Sequence, residues 1–302
     1  MEYFRVRNKL FNTYPSIFHH PGKIGDGNRI IGIVQLKKMF FDLIGDSNNG
    51  YFLDYKEKIR LKIPIFNSNK VNEIANKLTV IFVSNLKEIG SGPRSFDFFG
   101  IPYRMLGSQV NEWSSNGLKL EFLHNELPSI KTKYFMLLDS NDTFTINNLI
   151  QTIEIFETSF DCEVLLNAGQ NLWPHWNDEM REYKLFCDLI GEKNNSDHKY
   201  INTGAFIAKT EFYREMIKTF DINKSPLPGD DQAAFYPLYK QYYPRIQLDY
   251  TCKIFQCEFD EELEVESSTM SWYQSNILNS KSLVYPLLKK HAVWRRSKKD
   301  VS

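Results

Sequence analysis

Residues 133–142, KYFMLLDSND, decide the fold of this chain. The apolar run 134–138 is short, continuous and bounded by turn residues, which predicts a fully buried strand. The strand ends at Asp139 and Asp142, and open α/β sheets bind ligands at the carboxyl ends of their strands. Two carboxylates across a turn can hold Mg²⁺ or Mn²⁺, which suit carboxylate and phosphate oxygens. A polar turn that caps the next helix is the alternative interpretation.

Strand and helix patterns alternate on both sides of this segment. Apolar, β-branched runs at 78–84, 103–107 and 163–167 predict strands, and helical spacing of apolar residues predicts helices at 117–127 and 146–156, the second with Thr145 as N-cap. Alternation of this kind implies βαβ units and a mainly parallel sheet, hence an α/β fold. A later strand, 200–208, contains Gly204, where backbone or ligand is expected to approach closely.

Composition limits the classes of function. The chain has 302 residues, of which 42% are hydrophobic and 25% charged, as in ordinary globular proteins. Its 37 basic residues balance 37 acidic ones, so the net charge gives no general attraction to nucleic acid or to anionic membranes. We therefore expect no nucleic-acid partner, and the oligomeric state is not readable from the sequence.

The cysteines and the hydropathy pattern suggest a compartment. None of the four cysteines forms a CxxC pair, so a zinc ribbon is not expected. The first residues lack the apolar core of a signal peptide, and no stretch approaches the roughly 20 apolar residues of a membrane span. We expect a soluble, cytoplasmic protein without a membrane span, and a viral or bacterial origin fits this expectation.

Aromatic and acidic segments mark the second half of the chain. Residues 170–176, QNLWPHW, form an aromatic loop, and Asp230, Asp231 and Gln232 open a predicted helix. Acidic residues in a first turn also stabilise the helix dipole, so these two aspartates have a purely structural interpretation as well. With the strand-end carboxylates, the pattern suits an enzyme that transfers a group from a nucleoside diphosphate donor, with a metal bridging the diphosphate.

Five blocks of sequence, in the same order, resemble the glycosyltransferase domain of the procollagen lysyl hydroxylases. They are DSND at 139–142, LLNAGQNLWPHW ending at Trp176, YINTGAFIA from Tyr200, DDQAAFYPLY from Asp230 and LDYTCKIFQ ending at Gln256. The resemblance covers about residues 78–256. It implies a GT-A fold, which is a Rossmann-like mixed sheet flanked by helices, with a UDP-sugar as donor and Mn²⁺ as cofactor.

The resemblance also implies roles for individual residues. The metal ligands are Asp139, Asp142 and His291, with His19 or His20 as an alternative source of the histidine, although these two also fit an exposed loop pair. The nucleotide and donor site comprises Ser84, Trp113, Lys119, Ser140, Asn141 and Gln232. The catalytic set is Asn202, Asp230 and Asp231, and the acceptor side carries Trp173 and Trp176. Asn141 stands where the family usually has a tyrosine that stacks on the nucleotide.

The implied function is a Mn²⁺-dependent hexosyltransferase that moves glucose or galactose from UDP-glucose or UDP-galactose to a hydroxylysine-linked, collagen-type acceptor. The favoured reaction is glucosyl transfer to galactosyl-hydroxylysine. The alternatives are transfer to another glycan, a non-catalytic glycan- or collagen-binding module, and a nucleotidyltransferase.

The predicted domains are an N-terminal extension over 1–73 and a transferase domain over 74–302. Whether the extension packs on the core is left open. That domain divides into a nucleotide-binding half at about 74–168 and an acceptor half at about 169–302.

Overall fold

The structure is a computed structural model that describes residues 4–20, 37, 40–41, 68–85, 89–146, 149–174, 178, 180–219, 225–257 and 263–267. Its strands are β1 (Phe4–Asn8), β2 (Ile17–His19), β3 (Leu78–Val83), β4 (Tyr103–Leu106), β5 (Tyr134–Asp139), β6 (Thr143–Thr145), β7 (Val164–Gly169), β8 (Tyr200–Lys209), β9 (Ile246–Leu248), β10 (Phe255–Cys257) and β11 (Leu263–Ser267). Its helices are α1 (Ser68–Lys77), α2 (Ser91–Phe99), α3 (Leu118–Glu126), α4 (Leu149–Ser159), α5 (Arg181–Lys193), α6 (Thr210–Ile217) and α7 (Asp231–Tyr242).

A six-stranded mixed sheet carries the fold, in the order β4-β3-β5-β8-β7-β9. The pairs β3–β4, β3–β5 and β7–β9 are parallel, whereas β8 runs antiparallel to both of its neighbours. The predicted α/β alternation and the mixed sheet flanked by helices are confirmed. Because β3 and β5 are parallel and adjacent, their carboxyl ends lie at one edge of the sheet, where Asp139 is placed.

The continuous apolar run of β5 is explained by burial on both faces of the sheet. Phe135 and Leu137 belong to one hydrophobic cluster, and Tyr134, Met136 and Leu138 belong to the other. Successive side chains of a strand point to opposite faces, so a sheet covered on both faces needs apolar residues at every position. The prediction of a fully buried strand at 134–138 is therefore confirmed.

A second, three-stranded sheet brings the N-terminal segment to the same edge. Its order is β10-β2-β6, with β2 parallel to β10 and antiparallel to β6. β6 begins one residue after Asp142, so β2 runs directly beside residues 139–142, which form the acidic turn of the candidate site. A third sheet pairs β1 with β11. The division of the chain at residue 74 remains a proposal.

Thr145 is not the N-cap of α4, contrary to the prediction. It is the last residue of β6, where its hydroxyl donates to the Ser16 carbonyl and its backbone N–H donates to Ser95 Oγ. The helix itself is confirmed, but it begins at Leu149. The pairing of β6 with β2 extends the strand to Thr145 and so displaces the helix start.

Two further features of the described residues are the character of the helices and the state of the cysteines. Within the described ranges, none of the helices combines the length and the apolar character that crossing a bilayer requires. Cys162, Cys187, Cys252 and Cys257 are all free thiols in buried positions.

Candidate active site

His19, Asp139 and Asp142 form the centre of the candidate site. One ligand atom from each lies within 4.8 Å of the others. The Nε2 atom of His19 is 3.6 Å from Asp139 Oδ2 and 3.6 Å from Asp142 Oδ2. Ligand atoms bound about 2.1 Å from one cation are at most about 4.2 Å apart, so these two separations fit a shared divalent ion.

Strand pairing and a glycine put the His19 ring in this position. In β2, His19 is paired with Thr143 on one side and with Cys257 on the other. The imidazole lies against the backbone of Gly204 in β8, where an added Cβ would be 2.2 Å from its Cε1 atom. Its Nε2 atom is buried and has no hydrogen-bond partner within the described residues. An unpartnered imidazole nitrogen facing two carboxylates is a donor set that can hold a divalent metal ion.

The two histidines are buried, so their interpretation as an exposed loop pair is wrong. His19 is 2% exposed and lies in β2, the middle strand of its sheet, and His20, which follows β2 directly, is 4% exposed. Burial alone would lower the pKa of His19, but Asp142 and Asp139 raise it well above its ordinary value. The pair of carboxylates therefore favours a positive charge at this point. Burial and the nearby Lys37 ammonium lower the pKa of His20 to about 4.

The backbone of the acidic turn is held from both sides. On one side, Gly92 N–H donates to Ser140 O at 2.9 Å, and Ser91 Oγ donates to Asn141 O at 2.5 Å. On the other side, His20 N–H donates to Asp142 O at 2.9 Å. These contacts fix the backbone that carries the two carboxylates.

Lys119 connects the acidic turn to the second acidic cluster. Its Nζ atom lies 2.8 Å from Asp139 Oδ1, 2.5 Å from Asp231 Oδ2 and 3.2 Å from the Thr203 carbonyl. Burial alone would lower the pKa of Lys119, but Asp139 and Asp231 together raise it above its ordinary value. Burial would likewise raise the pKa of Asp139, but Lys119 and then His19 lower it. The Lys119 ammonium and the Asp139 carboxylate therefore both stay in their charged forms.

The start of α7 places the second acidic cluster beside Lys119. Asp230 is the N-cap, and its Oδ1 accepts from Ala233 N–H at 2.7 Å, while its Oδ2 accepts from Trp173 Nε1 at 3.3 Å. The expected structural role of Asp230 is therefore present. Burial raises the pKa of Asp230. The carboxylate of Asp231 accepts from Thr203 Oγ1 at 2.7 Å.

Two further predicted residues belong to the same network. Asn202 Oδ1 accepts from Gly204 N–H at 3.0 Å and from Asn167 Nδ2 at 3.2 Å. Gln232 Nε2 donates to the Trp173 carbonyl at 2.8 Å. Trp173 is 47% exposed although its indole N–H is hydrogen-bonded, so one aromatic surface faces solvent beside Asp230.

The remaining predicted residues have defined places but untested roles. Ser84 follows β3, and its N–H donates to Leu106 O at 2.9 Å. Trp113 is half-buried and stacks on Phe122 with ring centroids 6.4 Å apart. Ser140 and Asn141 lie in the acidic turn. Their assignment to the nucleotide site stays a prediction, and Trp176 and His291 lie outside the described residues.

Three groups that shape the site were not predicted from the sequence. Gly90 packs so closely on the acidic turn that an added Cβ would be 2.2 Å from the Ser140 carbonyl oxygen. Lys37 Nζ donates to Asn141 O at 2.9 Å. Thr203 bonds to residues from two helices. The Gly-Ser-Gly sequence at 90–92, after β3, is a local pattern that could have indicated Gly90. No local pattern marks Lys37 or Thr203.

Neither the curated proteins nor the solved structures identify the family of this chain. No curated protein matches this chain. Solved structures with partial similarity include A197 from STIV (12% identity, 58% of this chain and 82% of that chain, TM-score 0.36). Two others are a glycosyltransferase involved in glycosylation of the major capsid of PBCV-1 (13%, 57% and 81%, TM-score 0.35) and the M. tuberculosis glucosyl-3-phosphoglycerate synthase (12%, 64% and 76%, TM-score 0.33).

The family model described as the PLOD GT domain matches residues 75–288, which is most of the chain. His19 precedes the matched residues, whereas Asp139, Asp142, Lys119 and Asp231 lie within them. The matched segment also contains the whole central sheet. This chain therefore belongs to the PLOD GT domain family, the glycosyltransferase domain of procollagen lysyl hydroxylases, and it is a glycosyltransferase.

Proposed function

We propose that this glycosyltransferase uses Mn²⁺ to move glucose or galactose from a UDP-sugar to a hydroxylysine-linked, collagen-type acceptor, with glucosyl transfer to galactosyl-hydroxylysine as its main reaction. The observation that carries the proposal is the group of His19, Asp139 and Asp142 beside the buried ammonium of Lys119. This arrangement offers a cation site and a fixed positive charge next to each other, which is what a departing diphosphate requires.

In this proposal His19, Asp139 and Asp142 hold the metal. An imidazole nitrogen and carboxylate oxygens suit Mn²⁺, and the unpartnered His19 Nε2 supports this use of the site. When bound, the ion supplies Lewis-acid stabilisation of the negative charge that develops on the leaving UDP.

Lys119 supplies the protein's own positive charge on the donor side. Its three N–H groups are already directed at Asp139, Asp231 and the Thr203 carbonyl, so the ammonium is fixed before substrate arrives. A charge fixed in advance stabilises developing negative charge without the cost of reorganisation. Through its contact with Asp139, the Lys119 ammonium adds positive charge beside the proposed metal site.

Asp230 is the better candidate for a base on the acceptor side. Asp231 is engaged by Lys119 and by the Thr203 hydroxyl, whereas burial raises the pKa of Asp230. A carboxylate with a raised pKa accepts a proton more readily from an acceptor hydroxyl, which an inverting transfer needs. In a retaining transfer, Asp230 and Asn202 hold sugar hydroxyls instead.

The acceptor would bind beside Trp173. Its exposed ring gives an apolar surface for a sugar, and its indole N–H is fixed by Asp230, which keeps the ring in place. Trp176 belongs to the same aromatic loop in the sequence and is assigned to the acceptor side on that ground.

The test is release of UDP from a panel of UDP-sugars, measured with Mn²⁺ or with EDTA, and with or without galactosyl-hydroxylysine. We expect one hexose donor to be used, a requirement for Mn²⁺, and stimulation by the acceptor. If galactosyl-hydroxylysine does not stimulate UDP release but another glycan does, that glycan replaces the collagen-type acceptor in the proposal. Release of pyrophosphate instead of UDP would contradict the proposal.

A further inference from the structure

Thr203 is a buried residue of β8 whose three polar groups are all used by the candidate site. The residue is 2% exposed. Its hydroxyl donates to Asp231 Oδ2 at 2.7 Å, its carbonyl accepts from Lys119 Nζ at 3.2 Å, and its N–H donates to Gln232 Oε1 at 3.3 Å. One residue of the central sheet therefore contacts both α3 and the start of α7.

The hydroxyl and the carbonyl of Thr203 act on the same ion pair. Lys119 Nζ contacts Asp231 Oδ2, and Thr203 contacts both partners of this pair. The ammonium has three N–H donors, and its third contact is Asp139. Removal of the hydroxyl would leave Asp231 Oδ2 with Lys119 alone among the contacts described here and would free the carboxylate to turn.

The N–H of Thr203 extends the connection to the aromatic loop. Gln232 accepts from Thr203 N–H through Oε1 and donates to the Trp173 carbonyl through Nε2 at 2.8 Å. The side chain of Gln232 thus spans from β8 to the loop that carries Trp173. Thr203 is therefore connected both to Lys119, on the proposed donor side, and through Gln232 to the Trp173 loop, on the proposed acceptor side.

We propose that Thr203 is a positioning residue, whose hydroxyl sets the Asp231 carboxylate and, through it, the Lys119 ammonium in the orientation that sugar transfer needs. This inference rests on the proposed function. Thr203 acts through Asp231 and Lys119 rather than on the substrate. A misplacement of about 1 Å in such groups can reduce turnover about a hundredfold, so the hydroxyl matters although it takes no part in the chemistry.

The test compares Thr203→Val, which keeps the shape and removes the hydroxyl, with Thr203→Ser, which keeps the hydroxyl. Thr152→Val is the matched control, because Thr152 is a fully buried threonine of α4 whose Oγ1 has no hydrogen-bond partner in the described part of the chain. For each variant, kcat and KM for the UDP-sugar, the Mn²⁺ Kd and the Tm are measured. Thr203→Ala repeats the measurement if the valine variant does not fold.

We expect Thr203→Val to lower kcat by about ten- to a hundredfold, with Mn²⁺ Kd and Tm close to those of the control variant. Thr203→Ser should restore kcat to within about threefold of the wild type. A wild-type kcat in the valine and alanine variants would overturn the proposal. Equal loss in the serine and valine variants would also overturn it, because the shape of the residue and not its hydroxyl would then be decisive.

A crystal structure of Thr203→Val separates this proposal from the proposed function. The expected result is that the Asp231 carboxylate rotates away from β8 and that the contact between Lys119 and Asp231 lengthens. Unchanged positions of both side chains would overturn the positioning role, whatever reaction the protein catalyses. Absence of UDP release by the wild type would instead count against the proposed function alone.

Discussion

Gly204 is the residue that allows a histidine into the centre of the site. A side chain at this position would overlap the ring of His19, with a Cβ only 2.3 Å from Nε2 and 2.8 Å from Asp139 Oδ2. The strand therefore needs a residue without Cβ where the imidazole and the carboxylate meet. The expected close approach at Gly204 is present, and the group that approaches it is a histidine from the N-terminal segment.

Replacement of Gly204 tests this packing. Gly204→Ala should displace His19 and weaken Mn²⁺ binding by at least about tenfold, because altered support of a metal ligand typically costs this much affinity. Gly169→Ala is the control, since its Cβ would meet nothing closer than 3.9 Å. Isothermal titration with Mn²⁺ measures both. Equal affinity in the two variants would mean that His19 does not hold the metal.

The source of the metal histidine can be decided by two substitutions. We expect His19→Ala to lower Mn²⁺ affinity by at least about tenfold and to abolish UDP release, because it removes a nitrogen ligand. His291→Ala should bind Mn²⁺ as the wild type does. Electron paramagnetic resonance of free Mn²⁺ gives both affinities, and the opposite result would assign the site to His291.

At the scale of elements, the start of α7 combines capping with a proposed catalytic role. The Asp230 carboxylate accepts the Ala233 N–H, and this bond satisfies one of the free N–H groups at the helix start. The same carboxylate accepts from Trp173. One side chain thus stabilises the helix and fixes the Trp173 ring, and a substitution can separate the capping role from the proposed catalytic one.

Asp230→Asn should separate capping from charge. Asparagine is as good an N-cap as aspartate, so the unfolding free energy should change little, whereas Asp230→Ala should lose about 1 kcal/mol. Both variants should reduce kcat by about a hundredfold if the carboxylate is the base. Urea unfolding and UDP release give the two quantities. Full activity of Asp230→Asn would remove the carboxylate from the proposed mechanism.

The contacts of Asp188 between α5 and the start of β8 make the stability of the fold depend on pH. This dependence does not involve the candidate site. Burial would raise the pKa of Asp188, but Lys184, Tyr200 and Lys199 lower it to about 2. A carboxyl with a lowered folded-state pKa stabilises the fold above its unfolded-state pKa and loses that effect as the pH falls toward the folded-state value.

Asp188→Asn should therefore reduce the unfolding free energy by about 2 kcal/mol at neutral pH, and the deficit should shrink as the pH falls from about 4 toward 2. Urea unfolding between pH 7 and pH 3 measures it. Glu211→Gln is the control, because the Glu211 side chain is 83% exposed and surface pairs contribute little. A deficit that does not change with pH would contradict the assigned pKa.

Local patterns predicted the elements that form the central sheet. The apolar runs at 78–84, 103–107 and 163–167 correspond to β3, β4 and β7, and the acidic opening of a helix at Asp230 corresponds to α7. These elements are marked by features within a few residues of each other, namely burial on both faces of a strand and capping at a helix start. Periodicity is sufficient for such features.

The pairing of distant segments was not predictable in the same way. The position of His19 depends on β2 lying between β6 and β10, which are more than a hundred residues away in the sequence. The roles of Thr203 and Gly90 likewise arise from contacts across the fold. The sequence indicated His19 or His20 as an alternative source of the metal-binding histidine. Only the arrangement of the sheets puts the His19 ring beside Asp139 and Asp142.

At the scale of the whole molecule, the two larger sheets meet at the acidic turn. The central sheet contributes Asp139 at the end of β5, and the three-stranded sheet contributes His19 at the end of β2. The matched family segment, 75–288, does not include β2. The N-terminal segment is therefore a structural part of the candidate site and not a peripheral addition, and the site depends on both sheets being formed.

The most direct test of the account is the initial rate of UDP release while EDTA-treated protein is titrated with Mn²⁺, using the preferred UDP-hexose. The account predicts no release without metal, a saturable rise with Mn²⁺ in the wild type, and no rise in folded Asp139→Ala. A metal-independent rate, or the same titration curve in Asp139→Ala, would contradict the claim that His19, Asp139 and Asp142 hold the ion that sugar transfer requires.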